Sequence, residues 1–168
     1  MFMRFLIFSD SHGHPECINE ALVRAGHFDG VIFLGDGLRD LPYCDIPPEK
    51  LYSVKENCDL FYFGEEGSPE QRLLILENKR IFITHGHRYG VKSSLDSLIY
   101  AAAERDADIV LFGHTHEMLE RRLTPDKYPS LSKPLYVFNP GAISGYKSSF
   151  GCLDITLRGE IMLSHGEL

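Results

Sequence analysis

The chain has 168 residues, 43% of them hydrophobic and 24% charged, and its formal net charge is −7. This length and composition predict a single globular domain spanning residues 1–168. No apolar run approaches the roughly 18 residues of a membrane span, and the acidic balance excludes a basic face for extended nucleic acid. A small anionic substrate remains compatible with this charge, because bound cations can supply local positive charge.

The cysteine pattern and the first apolar run together predict a cytoplasmic protein. The four cysteines contain no Cys-x-x-Cys pair and no regular framework, which is typical of a reducing compartment. The first apolar run, over 5–8, is too short for a secretory signal and ends near Asp10, so we interpret it as a strand.

The predicted elements alternate between strands and helices at first and continue as strands alone. In chain order they are strand 4–9, helix 14–26, strands 31–34 and 51–55, a loop over 60–71, a hairpin of 72–76 and 80–84, helix 92–105, and strands 108–112, 118–123, 135–138, 152–157 and 160–163. The helices are indicated by apolar residues at helical spacing and the strands by short β-rich runs. This order predicts an α/β fold with two mixed β-sheets and the helices outside them.

Five polar clusters carry the chemistry of the chain, and most of them directly follow a predicted strand. They are Asp10-Ser11-His12, Gly35-Asp36, Asn57-Cys58-Asp59, Thr84-His85-Gly86-His87 and Gly113-His114-Thr115-His116. Strand ends meet at one edge of a sheet, where ligands bind in α/β folds. Carboxylate, amide and imidazole groups gathered there form a mixed nitrogen and oxygen ligand set. The clusters therefore predict a two-metal hydrolase.

The five clusters, in this order and followed by Asn139-Pro140-Gly141, resemble the calcineurin-like metallophosphoesterase superfamily. The likeness is greatest to the small bacterial and archaeal phosphodiesterases of that superfamily. It implies an αββα fold, in which two mixed β-sheets are packed as a sandwich and flanked by helices.

The resemblance also implies a ligand set for two divalent ions, with Asp36 bridging them. One ion would be held by Asp10, His12 and His116, and the other by Asn57, His85 and His114. The family often uses Mn²⁺, which we expect here, with Fe, Zn²⁺ and Ni²⁺ as alternatives. An imidazole-rich set suits these ions better than Mg²⁺, which prefers oxygen ligands.

The implied reaction is hydrolysis of a small phosphate ester by a hydroxide held between the two ions. The residues expected to take part in catalysis are Asp36, Asn57, Cys58 and His87. Cys58 stands where many relatives have His, and a thiol is a poorer general acid, so esters with activated leaving groups should react best. Glu56 stands where relatives usually have Gly and is expected to add negative charge near the second ion.

Three functions remain open at this stage. The first is a phosphodiesterase for small esters, and the second is a phosphomonoesterase or nucleotidase that uses the same site. The third is a protein-binding scaffold like the retromer subunit, which shares this fold but has a degenerate metal site. The complete ligand set favours an enzyme, and small relatives often form dimers or tetramers, so a homo-oligomer is expected. His14 and His87 are each expected either to contact phosphate or to support a ligand.

Overall fold

The computed structural model describes residues 1–56 and 68–168, and two five-stranded sheets dominate them. The first sheet has the strand order β10-β9-β1-β2-β3, with β1 at Phe2–Phe8, β2 at Gly30–Phe33, β3 at Leu51–Ser53, β9 at Ser149–Thr156 and β10 at Ile161–Glu167. The second has the order β4-β5-β6-β8-β7, with β4 at Gln71–Leu76, β5 at Lys79–Thr84, β6 at Ile109–Leu111, β7 at Met118–Leu123 and β8 at Leu135–Pro140. Each sheet mixes parallel and antiparallel pairs, as predicted.

Alternating side chains of the central strands bury both faces of each sheet. In β1, Phe5 and Ile7 join an apolar cluster shared with the second sheet, whereas Leu6 and Phe8 pack with helix α1 (Pro15–Ala25). In β6, Ile109 and Leu111 belong to the shared cluster, and Val110 packs on the side of helix α2 (Asp96–Glu104). The period of two in a strand explains this division. The predicted sandwich of two mixed sheets between helices is confirmed.

Both predicted helices form, although α2 is shorter at its start than the predicted span 92–105. Helix α1 begins at Pro15, where the missing N–H costs nothing, and it is followed by Gly26 at a φ of 73°. Before α2, the N–H of Ser94 donates to the carbonyl of Gly90, and the Ser94 hydroxyl accepts from the N–H of Asp96. This turn occupies the first residues of the predicted helix, so α2 begins at Asp96.

Several strand bounds differ from the prediction because tertiary pairing extends or shortens them. Strand β9 begins three positions earlier than predicted, and β10 continues to Glu167 because His165 and Gly166 pair with Gly151 and Phe150. The predicted strand 51–55 is limited to Leu51–Ser53. Within 1–56 and 68–168, the structure also has short 3-10 helices that were not predicted, at Leu38–Tyr43, Pro48–Lys50 and His87–Tyr89. In the described residues, no helix is both long and apolar enough to cross a membrane.

Candidate metal centre

Two pairs of parallel strands bring four of the five predicted clusters together at their carboxyl ends, and the cluster at Asn57 lies outside the described residues. Strands β1 and β2 are parallel neighbours in the first sheet, and β5 and β6 are parallel neighbours in the second. The N–H of Asp10 donates to the carbonyl of Gly35 at 3.1 Å, and the N–H of Gly113 donates to that of His85 at 3.0 Å. His85 Nδ1 contacts the carbonyl oxygen of Leu34 at 2.8 Å, which joins the two sheets at this edge.

The first group of potential ligands contains Asp10, His12, Asp36 and His116, whose ligand atoms all lie within 4.8 Å of one another. His12 Nε2 is 2.8 Å from Asp36 Oδ2, and His116 Nε2 is 3.2 Å from Asp10 Oδ1. Asp10 is fully buried, whereas His12 and His116 are exposed, so this group is accessible from solvent on one side.

The second group contains Glu56, His85 and His114, again with ligand atoms within 4.8 Å of one another. His85 Nε2 lies 3.2 Å from His114 Nδ1. Glu56 and His85 are buried, and burial is the main cause that lowers the pKa of His114, followed by the charge of His85. A lowered pKa keeps the imidazole neutral, which is the form that binds a metal. The predicted residues Asn57 and Cys58 lie outside the described residues.

The carboxylate of Asp10 belongs to the first group but also lies close to the second, and its surroundings suit a bound cation. Its Oδ2 accepts from the Ser9 hydroxyl and from the N–H of His114. Its Oδ1 is buried and has no hydrogen-bond partner among the described residues. This oxygen is 3.2 Å from His116 Nε2 and 3.8 Å from both His12 Nε2 and His85 Nε2. Such a buried anionic oxygen is unfavourable unless positive charge compensates it, which a divalent ion among these imidazoles would do.

Neighbouring residues that hydrogen-bond to the candidate ligands or to their loops hold these ligands in place. The sequence offered little or no indication of them. The Ser144 hydroxyl donates to the carbonyl of Asp10 at 2.8 Å and contacts His12 Nδ1 at 3.1 Å. The Asn139 amide donates to the carbonyl of Gly113 and to the hydroxyl of Thr115. Such contacts orient metal-binding side chains. Asn139 carried a weak signal in Asn139-Pro140-Gly141, and Ser144 carried none.

Most of the candidate ligands have an unusual backbone conformation. Positive φ angles occur at Asp10 (58°), His12 (49°), Asp36 (58°), His114 (68°) and His116 (61°). L residues other than glycine rarely adopt this region. Each residue sits where the chain turns sharply after a strand, so the turn itself directs the side chain to the sheet edge.

The two additional histidines differ from each other. His87 lies near the second group, with ring centroids 5.7 Å from His85 and 6.3 Å from His114. Neither of its ring nitrogens has a hydrogen-bond partner in the described parts of the chain, and burial lowers its pKa. His14 instead contacts Glu16 at 2.8 Å on the exposed start of α1. The structure therefore brings His87 to the centre and pairs His14 with a surface carboxylate.

Comparison with known families and proteins shows the superfamily of the chain. Residues 3–157 match the model of the calcineurin-like phosphoesterase superfamily domain. The chain belongs to this superfamily. It is 35% identical over 115 residues to the probable metallophosphoesterase YsnB of Bacillus subtilis, covering 68% of this chain and 64% of YsnB. It is 28% identical to the phosphodiesterase YfcE of Escherichia coli K12, covering 96% of this chain and 93% of YfcE.

Solved structures share the fold of this chain over nearly its whole length. An archaeal phosphodiesterase superposes with a TM-score of 0.71 at 25% identity, covering 99% of this chain and 100% of that one. Vps29 from Cryptosporidium parvum also gives 0.71, at 17% identity and with 99% and 98% coverage. The second likeness shows the fold alone. Together with the two ligand groups, the superfamily match supports a phosphoesterase with candidate residues for divalent metal.

Proposed function

We propose that this protein is a metal-dependent phosphodiesterase that hydrolyses small phosphate esters at the two ligand groups, with Mn²⁺ as the preferred ion. The observation that carries the proposal is the buried Asp10 Oδ1, surrounded by the imidazole nitrogens of His12, His85 and His116. A buried carboxylate oxygen without a hydrogen-bond partner, among several imidazole nitrogens, is unfavourable for a purely structural role and suited to cations.

The proposed ligand assignment is the one that the resemblance implies, and the two groups support it for every residue but Asn57, which lies outside the described residues. Asp10, His12 and His116 would hold one ion; Asn57, His85 and His114 would hold the other; and Asp36 would bridge them. When bound, such a pair of ions lowers the pKa of water and stabilises the charge of the transferring phosphoryl group. Oligomerisation and a cytoplasmic location remain part of the proposal, and the free thiols of Cys17, Cys44 and Cys152 are consistent with a reducing compartment.

The protein's own residues supply orientation and proton handling in this proposal. Ser144 and the carbonyl of Leu34 each contact the Nδ1 atom of a candidate ligand, so the Nε2 atoms of His12 and His85 are directed to the centre. His87 lies next to the second group and would donate a hydrogen bond to a phosphate oxygen. Cys58 would carry the weak general-acid role, which favours substrates with activated leaving groups.

The main alternatives are a phosphomonoesterase or nucleotidase and a protein-binding scaffold. The first would use the same ligands, so only substrate preference separates it from a phosphodiesterase. For the second, the Vps29 likenesses show the fold alone, whereas the described part of the chain retains nearly all of the predicted ligands. This retention supports an enzyme.

The test is a hydrolysis panel with the metal-stripped protein and added Mn²⁺, comparing bis-aryl phosphodiesters, aryl monoesters and cyclic nucleotides. We expect diesters to be cleaved faster than matching monoesters. The reverse order would favour the phosphatase, and no hydrolysis of any substrate would favour the scaffold. His85→Asn should abolish hydrolysis, whereas the matched change His27→Asn, at an exposed position, should leave it intact.

A further inference from the structure

Glu56 is a buried carboxylate in the second ligand group. Its side chain belongs to a residue only 8% exposed, and a carboxylate oxygen lies within 4.8 Å of ligand nitrogens on His85 and His114. The three side chains can therefore each offer one ligand atom to the same cation.

The backbone around Glu56 holds it against the same turn that carries Asp36. A Cβ atom on Gly35 would come within 3.2 Å of both the Glu56 amide nitrogen and His85 Nδ1. Gly35 has a φ of 98°, so this close approach depends on the absence of a side chain. The position of Glu56 relative to His85 is therefore set by tight packing.

We propose that Glu56 is a carboxylate ligand of the second metal position, which is then held by an anionic set of one glutamate and two histidines. The proposal rests on the proposed two-metal function and adds a residue to it. Two imidazoles and one carboxylate with open positions are a set that proteins use for catalytic Zn²⁺ and for Fe²⁺. The second metal position therefore has a carboxylate of its own, and its negative charge does not come from the bridging Asp36 alone.

This assignment changes the charge that a substrate meets. Before hydroxide is counted, two divalent ions held by Asp10 and Asp36 would carry a local excess of two positive charges, and an ionised Glu56 would reduce that excess to one. A smaller excess weakens attraction for a dianionic phosphate monoester more than for a monoanionic diester. Glu56 thus acts as a specificity-determining residue that favours diesters.

The experiment titrates the metal-stripped protein with Mn²⁺ alone by equilibrium dialysis with metal analysis. We expect wild type to bind two equivalents, and Glu56→Gln to lose at least about tenfold in affinity for one of them. The matched control is Glu70→Gln, because Glu70 pairs with Arg88 at 2.7 Å, and it should bind as wild type does. If Glu56→Gln binds each of the two equivalents as tightly as wild type does, the proposal is overturned.

A second measurement is the ratio of aryl monoester to aryl diester hydrolysis, which should rise in Glu56→Gln and stay constant in Glu70→Gln. Failure of the proposed function is distinguishable, because wild type would then bind fewer than two Mn²⁺ or hydrolyse neither ester. If Glu56→Gln does not give a native circular dichroism spectrum, Glu56→Asp replaces it. That variant keeps the charge but shortens its reach, so weaker binding of one equivalent supports the proposal and unchanged binding overturns it.

Discussion

At the scale of single residues, the left-handed backbone of the candidate ligands has an energetic cost. Each such conformation in a non-glycine residue costs on the order of 1–3 kcal/mol, and it persists only where the surrounding structure enforces it. At Asp10 and His12, the enforcing contacts are their N–H groups, since Asp10 donates to Gly35 and His12 donates to Asp36. Conformational strain is therefore concentrated where a bound ion can offset it.

The first prediction at this scale compares Asp36→Asn with His87→Ala. An amide at position 36 removes the negative charge proposed to be shared by both ions, so kcat/KM with Mn²⁺ should fall by more than about 100-fold. His87→Ala removes at most a phosphate contact and should cost much less. Steady-state kinetics on one aryl diester measure both variants. Equal losses, with native circular dichroism in each, would show that the bridge has been assigned to the wrong residue.

The second prediction concerns Cys58→His. If Cys58 occupies the position of a proton donor, a histidine there should speed the cleavage of esters with poor leaving groups and change aryl esters little. General acid catalysis contributes about 10²–10⁴-fold with ideal geometry, and we expect a gain well below that range. The measurement is the slope of log rate against leaving-group pKa. A shallower slope in the variant agrees with this role, and an unchanged slope at wild-type metal content contradicts it.

Sequence reasoning found the ligand residues better than the features that hold them. The order of the motifs predicted Asp10 and His85 as ligands, because a carboxylate or an imidazole directly after a strand can be recognised from the sequence. Ser144 could not be found in this way, since a serine far along the chain has no local signal and acquires its role only through tertiary contact with Asp10. The approach of Glu56 to His85 and His114 also depends on packing that sequence spacing does not show.

At the scale of elements, the hydrophobic pattern predicted the kind of each strand and helix, and tertiary pairing determined several of their ends. The end of β10 contains Ser164, His165 and Gly166, which give no strand signal, yet they continue the ladder with β9. This extension places His165 Nε2 2.8 Å from the carbonyl of Asn139. Strand β10, at the edge of the first sheet, thus supports Asn139 in β8 of the second. Asn139 in turn orders the loop that carries His114 and His116.

Asn139→Ala tests this support. The change would remove one donor each from the buried carbonyl of Gly113 and the hydroxyl of Thr115. It would also take the side-chain acceptor from the buried N–H of Gly141, at a cost of about 1–3 kcal/mol. We expect a lower Tm and weaker Mn²⁺ binding by roughly 10–100-fold. Thermal unfolding and equilibrium dialysis provide the measurements. Asn19→Ala removes an exposed amide that donates to the carbonyl of Tyr43 and accepts from the N–H of Asp45, and it should leave Mn²⁺ binding unchanged. Normal Mn²⁺ binding in Asn139→Ala would refute the link.

At the scale of the whole molecule, the candidate centre depends on both sheets. Asp10 and Asp36 follow strands of the first sheet, whereas His85 and His114 follow strands of the second. Binding of an ion between them should stabilise the joined sheets as a unit. A single domain over 1–168 remains a prediction, and so does assembly into a dimer or tetramer, which sedimentation at several protein concentrations would reveal.

Metal removal should accordingly lower the stability of the entire chain. Because the groups come together only in the folded state, each bound Mn²⁺ at 100 times its Kd adds about 2.7 kcal/mol, which corresponds to roughly 5–10 °C in Tm per ion at this size. Calorimetry with chelator and then with restored Mn²⁺ measures the shift, and one cooperative transition would agree with a single domain. Activity should disappear and return in parallel, more weakly with Mg²⁺. An unchanged Tm, or full activity with chelator, would contradict two bound ions.

The pairing of β1 with β9 has a consequence for the synthesis of the protein. Strand β1 is flanked by β2, which follows soon after it, and by β9, which brings Thr156 beside Phe2. At about 5–20 residues per second, a ribosome makes β9 on the order of ten seconds after β1. During that interval one edge of β1 has no partner strand, and its unpaired backbone N–H and C=O groups can pair with other nascent chains. The emerging polypeptide therefore has its greatest need of a chaperone before its last strands are made.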